Sequence, residues 1–302
     1  MPEIITSPSN PKIKRLLALQ QKSSARREAG LFIVEGQREL QHCIDAGFEI
    51  DTLFVCPSLS GGFPASASGQ AATALGNRAT LGIVRGRGPS SDGRGPTKED
   101  VSRGSWPAAT EKVFKVSEEV YRKIAMREGT EGVIAEVKAK ERKLEELELP
   151  ENPLVVVLES VEKPGNLGAV LRSADAAGAD AVLFCDPLTD LWNPNLIRAS
   201  IGAVFTVPCV ACSSEDAIAF LKARGIRILT AQLQDSSLYY DCDMTGGTAL
   251  VMGTEATGLT DAWRAAADAH IRIPMLGRLD SLNVSVSAAI LLFEAVRQRR
   301  NG

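Results

Sequence analysis

Three short blocks in the C-terminal half carry the residue types that could do chemistry: Asn166-Leu-Gly-Ala-Val-Leu-Arg172, Leu250-Val-Met-Gly-Thr-Glu-Ala-Thr-Gly-Leu259 and Ile273-Pro-Met-Leu-Gly-Arg-Leu-Asp-Ser-Leu-Asn-Val-Ser285. In the third, a strand-like end at Ile271 and Ile273 runs into Pro274 and Gly277. Ser281, Asn283 and Ser285 then recur on alternate positions ahead of a long apolar helix. Polar side chains at such a junction cap the helix or hold a ligand. In the second block, Gly253-Thr-Glu-Ala-Thr-Gly258 follows an apolar strand. Small residues there let a ligand lie against the backbone, and exposed amides can meet its polar groups. Glu255 would repel a phosphate and suits a cationic ligand. In the first block, Arg172 sits about 120° around a helix from Asn166. Taken alone, that pair reads as a helix cap and a salt-bridge partner.

Other chemistries are disfavoured. Gly165-Asn-Leu-Gly168 has the wrong spacing for a dinucleotide-binding turn, and no G-x-x-x-x-G-K-[ST] phosphate loop occurs. Cys209-Val-Ala-Cys212 has metal-ligand spacing, but no second pair accompanies it. The two histidines, His42 and His270, lie outside polar clusters, which argues against His-based acid–base chemistry.

Taken together and in this order, the three blocks resemble the SpoU-type, TrmH-like RNA ribose 2′-O-methyltransferases of the SPOUT superfamily. The resemblance covers about residues 153–300. It implies an α/β catalytic domain with a deep trefoil knot, a homodimer with the active site at its interface, and S-adenosylmethionine as methyl donor with no metal. It implies catalytic roles for Asn166, Arg172, Glu255, Ser281 and Asn283. It also implies a donor site at Gly253, Ile273, Met275, Ser281, Leu282 and Asn283, where Glu255 would suit a sulfonium. The substrate it implies is structured RNA, most readily rRNA of the 23S type. A tRNA substrate, a base-methylating relative and a non-catalytic RNA-binding protein are the alternatives. The N-terminal half resembles the small domain, similar to ribosomal protein L30e, that precedes many such catalytic domains. Its cues are Phe32-Ile-Val-Glu-Gly36 and Gly132-Val-Ile-Ala-Glu136.

The elements that must position these blocks follow from patterning. At 302 residues the chain exceeds one ordinary core. We divide it into an RNA-binding domain, 1–149, and a methyltransferase domain, 150–302. In the second, Leu154-Val-Val-Val-Leu158 is a continuous apolar run, as in a strand buried on both faces. Further strands are expected at 181–185, 226–231, 249–252 and 271–273. Helical patterns lie between them at 167–178, 194–203, 215–224, 259–268 and 285–299. This alternation predicts an α/β domain with a parallel sheet.

In the first domain a helix is expected over 8–20, with Ser9 or Asn10 as cap and Pro11 in its first turn. Strands are expected at 31–34, 52–56, 113–116 and 133–137, and helices at 35–46 and from Ser117. Residues 59–109 are crowded with Gly, Ser, Ala and Pro. They read as an insertion, flexible over 86–106, although 71–84 has the pattern of a helix and a strand.

The net charge of −3 does not advertise a nucleic-acid binder. Residues 1–30 nevertheless carry Lys12, Lys14, Arg15, Lys22, Arg26 and Arg27 against Glu3 and Glu28, and are expected to meet phosphates. No apolar run is long enough to span a bilayer, and the opening residues do not read as a signal peptide. The six scattered cysteines fit a cytoplasmic location with reduced thiols.

Overall fold

The computed structural model describes residues 4–61, 110, 112–127, 131–254 and 257–301. Glu255 and most of the 59–109 insertion, including 71–84 and 86–106, lie outside the described residues.

The first half builds a mixed five-stranded sheet. Its strands are β1 (Ile4–Ile5), β2 (Leu31–Glu35), β3 (Ile50–Val55), β4 (Val113–Val116) and β5 (Val133–Lys138), in the order β1-β4-β3-β5-β2. β5 runs antiparallel to both its neighbours, and the remaining pairs are parallel. Helices α1 (Pro11–Gln21), α2 (Ser23–Ala29), α3 (Gln37–Asp45) and α4 (Glu118–Ile124) cover it. α1 starts where the sequence asks it to: the Asn10 side chain accepts from the Lys12 amide at 2.9 Å, and Pro11 fills the first turn. Ile13, Leu16 and Leu19 recur at helical spacing and form its buried stripe.

The second half builds a seven-stranded, all-parallel sheet. Its strands are β6 (Leu154–Glu159), β7 (Ala181–Cys185), β8 (Cys209–Cys212), β9 (Arg227–Ala231), β10 (Ser237–Leu238), β11 (Thr248–Met252) and β12 (Ala269–Arg272), ordered β10-β12-β9-β11-β6-β7-β8. Helices α5 (Pro164–Ala177), α6 (Pro194–Ser200), α7 (Ala203–Thr206), α8 (Ser214–Ala223), α9 (Asp261–Ala266) and α10 (Val284–Asn301) complete it. β6, β7 and β11 are buried along their whole length, as expected of central strands covered on both faces.

Several details differ from the sequence reading. The 194–203 helix is two helices, because Ile201 and Gly202 both adopt left-handed backbone between α6 and α7. Cys209-Val-Ala-Cys212 is the edge strand β8. Residues three apart on a strand point to opposite faces, so this pair cannot close on one metal. Among the described residues no group of three or more His, Cys, Asp or Glu side chains is placed to hold a metal. His270 does have a polar partner: its Nδ1 lies 2.6 Å from Thr230 Oγ1.

The expectation that Arg26 meets phosphate is overturned. Arg26 is 4 % exposed, with Nε and Nη2 bonded to the Asp190 carboxylate at 3.0 and 2.6 Å and Nη1 bonded to Leu19 O at 2.7 Å. This fork–fork pair joins the end of α2 to the loop before α6, across the two halves. Beside it, Phe32 and Phe48 from the first half pack on Trp192 and Phe205 from the second, with Phe32 stacked on Trp192 at 4.6 Å. Arg15 is half-exposed but committed to Glu136 at 3.1 Å and Asp51 at 3.5 Å. Lys12, Lys14, Lys22 and Arg27 remain exposed.

Candidate active site

The three blocks converge at the carboxyl ends of the parallel strands, the usual place for ligands in open α/β sheets. β6 leads into α5 with the first block, β11 into the second, and β12 into the third, which ends on α10. α5 begins at Pro164, with Lys163 as its cap residue, so Asn166 lies inside the first turn and does not cap the helix. Its side chain is instead turned to the third block: Asn166 Oδ1 accepts from Asn283 Nδ2 at 3.1 Å. Asn283 Oδ1 accepts from the Ser285 amide at 2.9 Å and from Ser285 Oγ at 2.6 Å. Asn283 therefore starts α10 and reaches across to α5 with the same side chain.

Gly168 explains how α5 comes so close. A Cβ there would lie 2.5 Å from Ala199 Cβ and 2.7 Å from Ser200 N, so only glycine lets α5 sit on α6 at this distance. Arg172 is one turn further along α5. It is exposed, and among the described residues it makes no hydrogen bond or ion pair.

A cavity of about 400 Å³ opens beside this junction, within the roughly 300–1,000 Å³ range of small-molecule sites. Gly253, Ile273, Met275, Ser281 and Leu282 all line it. Asn283, Asn166 and Arg172 do not. Ser281 is exposed, with its hydroxyl 3.4 Å from the Asp280 carboxylate. Glu255 lies outside the described residues. Sequence reasoning missed Gln232, Thr254, Thr257, Arg264 and Arg272, which also line the cavity. Thr254 and Thr257 sit within the second block. Gln232, Arg264 and Arg272 lie outside the quoted motifs and carried no signal.

The wall fits a polar, flat-faced ligand held by backbone. Gly253 has no room for a side chain, since a Cβ would lie 2.2 Å from Gly258 O. Thr254 and Gly258 pair in both directions, at 3.3 and 3.0 Å, which closes the loop on itself. Gln232 Oε1 and Arg264 Nε are buried on this wall with no hydrogen-bond partner among the described residues. Such orphaned groups are costly unless a ligand or water meets them. Met252, Leu259, Ile271 and Leu291 supply the apolar remainder. An adenosyl group with a polar amino-acid tail meets both requirements.

A larger cavity, about 930 Å³, lies at the seam between the halves, beneath residues 139–146 and 187–192. No residue of the three blocks lines it, and its rim mixes Arg27, Lys140, Arg142 and Lys143 with Glu141, Glu145, Glu146 and Asp216. The smaller cavity is the better candidate, because the convergent polar groups are there.

The fold and the cavity at its strand ends describe a two-part α/β protein whose C-terminal half carries a candidate ligand site. Comparison with known proteins gives the family. The SpoU rRNA methylase family profile matches residues 153–293, and the profile of an MRM3-like substrate-binding domain matches residues 10–81. The 23S rRNA (guanosine-2'-O-)-methyltransferase RlmB of Pseudomonas putida is 37% identical over 179 residues, covering 56% of this chain and 71% of that protein. A crystal structure of an RNA 2'-O ribose methyltransferase is 36% identical, with a TM-score of 0.75 over 99% of this chain and 100% of that one. The AdoMet-bound rRNA methyltransferase from Sinorhizobium meliloti is 29% identical, with a TM-score of 0.77 over 98% of this chain and 97% of that one. The chain belongs to the SpoU rRNA methylase family.

Proposed function

We propose that this protein methylates a ribose 2′-hydroxyl of ribosomal RNA, of the 23S type, with S-adenosylmethionine as donor. The observation that carries the reading is the Asn166–Asn283 contact, which joins the first and third blocks beside a cavity lined by the second. The names of the relatives support the substrate, and the AdoMet-bound neighbour supports the donor.

Gly253, Ile273, Met275, Ser281 and Leu282 would hold the donor, with Asn283 fixing the corner between them and α5. S-adenosylmethionine supplies a methyl group already activated by its sulfonium, so no metal is needed. The 2′-hydroxyl is a weak acid and a poor nucleophile, and charge builds on its oxygen as it attacks. Arg172 is the group to meet that charge. Guanidinium hardly deprotonates, so Arg172 donates hydrogen bonds to the developing alkoxide and does not act as a base; the 2′-proton passes to solvent water as the O–CH3 bond forms, and the C–S bond breaks to leave S-adenosylhomocysteine. Asn166 and Ser281 orient the reacting groups, and Glu255 completes the second block.

Residues 1–149 form the RNA-selecting domain in this reading, and 150–302 the catalytic one. The match to a substrate-binding family and the exposed Lys12, Lys14, Lys22 and Arg27 support that division. A homodimer through the C-terminal domain belongs to the same proposal. Its support is a run of exposed apolar side chains, Leu276 at 97%, Leu279 at 76%, Val286 and Phe293, leading from the third block onto α10. The trefoil knot is proposed with it on the family resemblance alone. A cytoplasmic location follows from the substrate, and no described helix is long and apolar enough to cross a membrane.

The test is Arg172→Ala. Methyl transfer should be abolished while S-adenosylmethionine affinity stays within several-fold of the unaltered protein. Arg172→Lys should also fail, because it loses the planar fork. Near-normal turnover by either variant refutes the assignment. Mapping 2′-O-methylation in RNA from cells with and without the gene tests the substrate.

A further inference from the structure

Glu159 ends β6, one position beyond Leu158, which pairs in register with Met252 of β11. It is 3 % exposed, and among the described residues no Lys, Arg or His pairs with it. A buried carboxylate is costly unless donors surround it. Here the donors come from two other elements. Glu159 Oε2 accepts from the Thr260 amide at 2.9 Å, and Oε1 accepts from Thr260 Oγ1 at 2.7 Å. Ser214 Oγ, at the start of α8, donates to Oε1 at 3.3 Å and accepts from Trp263 Nε1 at 2.9 Å. Trp263 is fully buried and Ser214 and Glu159 nearly so, while Thr260 closes the network from the exposed side.

Thr260 is the cap residue of α9, and it directly follows the second block. Gly253, Thr254, Thr257, Gly258 and Leu259 of that block line the donor cavity. The loop's internal bonds, Thr254 to Gly258 and the Thr254–Thr257 hydroxyl contact at 2.8 Å, tie it to itself. They do not fix its height above the sheet. At its entry that height is set by β11. At its exit it is set by the two bonds from Thr260 to Glu159. The tolerance is tight, because Gly253 and Gly258 already touch backbone to backbone.

We propose that Glu159 is a positioning residue for the methyl donor: by anchoring Thr260 to the end of β6, it holds the backbone of Gly253, Thr254, Thr257 and Gly258 at the height where it meets S-adenosylmethionine. This rests on reading the cavity as the donor site. Glu159→Gln keeps the shape but replaces one acceptor oxygen with an NH₂ that faces donors. Asp is one methylene too short to reach Thr260. Thr260→Val removes the hydroxyl bond and keeps the amide bond.

The experiment is calorimetric titration of the full-length protein with S-adenosylhomocysteine, which binds without turnover, beside steady-state kinetics on RNA. Glu159→Gln and Glu159→Asp should weaken binding about 10-fold or more, and Thr260→Val about 3- to 10-fold. The KM for S-adenosylmethionine should rise in step, while kcat at saturating donor stays within about 3-fold. RNA affinity should not change. A merely structural role would lower the melting temperature and leave the donor affinity of the folded protein intact. The double variant Glu159→Gln/Thr260→Val should bind no worse than Glu159→Gln alone, since both changes break one link. If the unaltered protein does not bind S-adenosylhomocysteine, the reading of the cavity fails. If it binds and folded Glu159→Gln binds within two-fold of it, the positioning role is overturned. If Glu159→Gln does not fold, Thr260→Val decides by the same criterion.

Discussion

Two glycines of one motif should respond to the same substitution with opposite sign. Gly165 and Gly168 both lie within α5, flanking Asn166 and Leu167. A Cβ added at Gly165 meets nothing within 4 Å. Alanine there gains helix propensity, up to about 1 kcal/mol, less at a first-turn position than in a helix interior. Gly165→Ala should therefore be neutral or stabilising by a few tenths to 1 kcal/mol. At Gly168 the same Cβ would stand 2.5 Å from Ala199 Cβ, 2.7 Å from Ser200 N and 2.8 Å from Ala199 C. Two of those three atoms are backbone, so no rotamer change relieves the contact and α5 must back away from α6. Overpacking of this kind costs about 1–3 kcal/mol. The propensity gain offsets about 1 kcal/mol of it. The net expectation for Gly168→Ala is a loss of up to about 2 kcal/mol.

Urea unfolding followed by far-UV circular dichroism measures both. For a domain of this size each kcal/mol corresponds to about 2–4 °C in melting temperature. A shift of α5 also moves Asn166 away from Asn283 and redirects Arg172. Gly168→Ala should thus lose more turnover than stability at 25 °C, where it remains folded. Stability changes of the same sign at the two positions would refute the packing argument.

Arg299, in the last turn of α10, donates to four carbonyls: Met244 at 2.9 Å, Asn152 at 2.9 Å, Pro153 at 3.1 Å and Gly246 at 2.5 Å. Arg299→Ala should cost about 2–3 kcal/mol by urea unfolding, and Arg299→Lys roughly half of that, since a point charge cannot span all four; a loss under about 0.5 kcal/mol for alanine would mean that water replaces the clamp. Asn283→Ala breaks both the α10 cap and the bond to Asn166, and should lower stability by about 1 kcal/mol and reduce both donor affinity and rate; unchanged affinity and rate would leave Asn283 as a cap alone. RNA affinity should fall steeply with salt. Lys12→Ala and Lys14→Ala should each lower that slope by about one, while Asp190→Asn, which frees Arg26, should lower melting temperature without changing the slope. A slope that ignores both lysines would move the RNA surface elsewhere.

The legible parts of this chain are those whose signal is local. Leu154 to Leu158 reads as a buried parallel strand because five apolar residues in a row cannot face water on either side. Asn10-Pro11 and Ser117 announce helix starts, because a cap bonds within three residues of itself. The spacing within a motif works the same way: Gly253 and Gly258 are five apart, and their contact closes a loop that the spacing alone implies. What stayed hidden depends on partners far along the chain. Arg26 looks like one more cation in a basic segment until Asp190, 164 residues away, takes up its fork. A composition argument cannot separate it from Arg27, which is exposed. Glu159 is invisible for the same reason. It closes a strand in a position where an acid usually faces solvent, and its donors lie 55 and 101 residues further on. β8 carries no strand signal of its own, because four residues hold too little alternation to declare one, and its place at the sheet edge comes from its parallel register with β7 from Val182–Cys209 to Cys185–Cys212. In each of these cases the residue type was visible and its charge was known. The missing quantity was desolvation, which decides whether an Arg meets phosphate or a buried carboxylate, and which is fixed only once two distant segments have closed over the side chain.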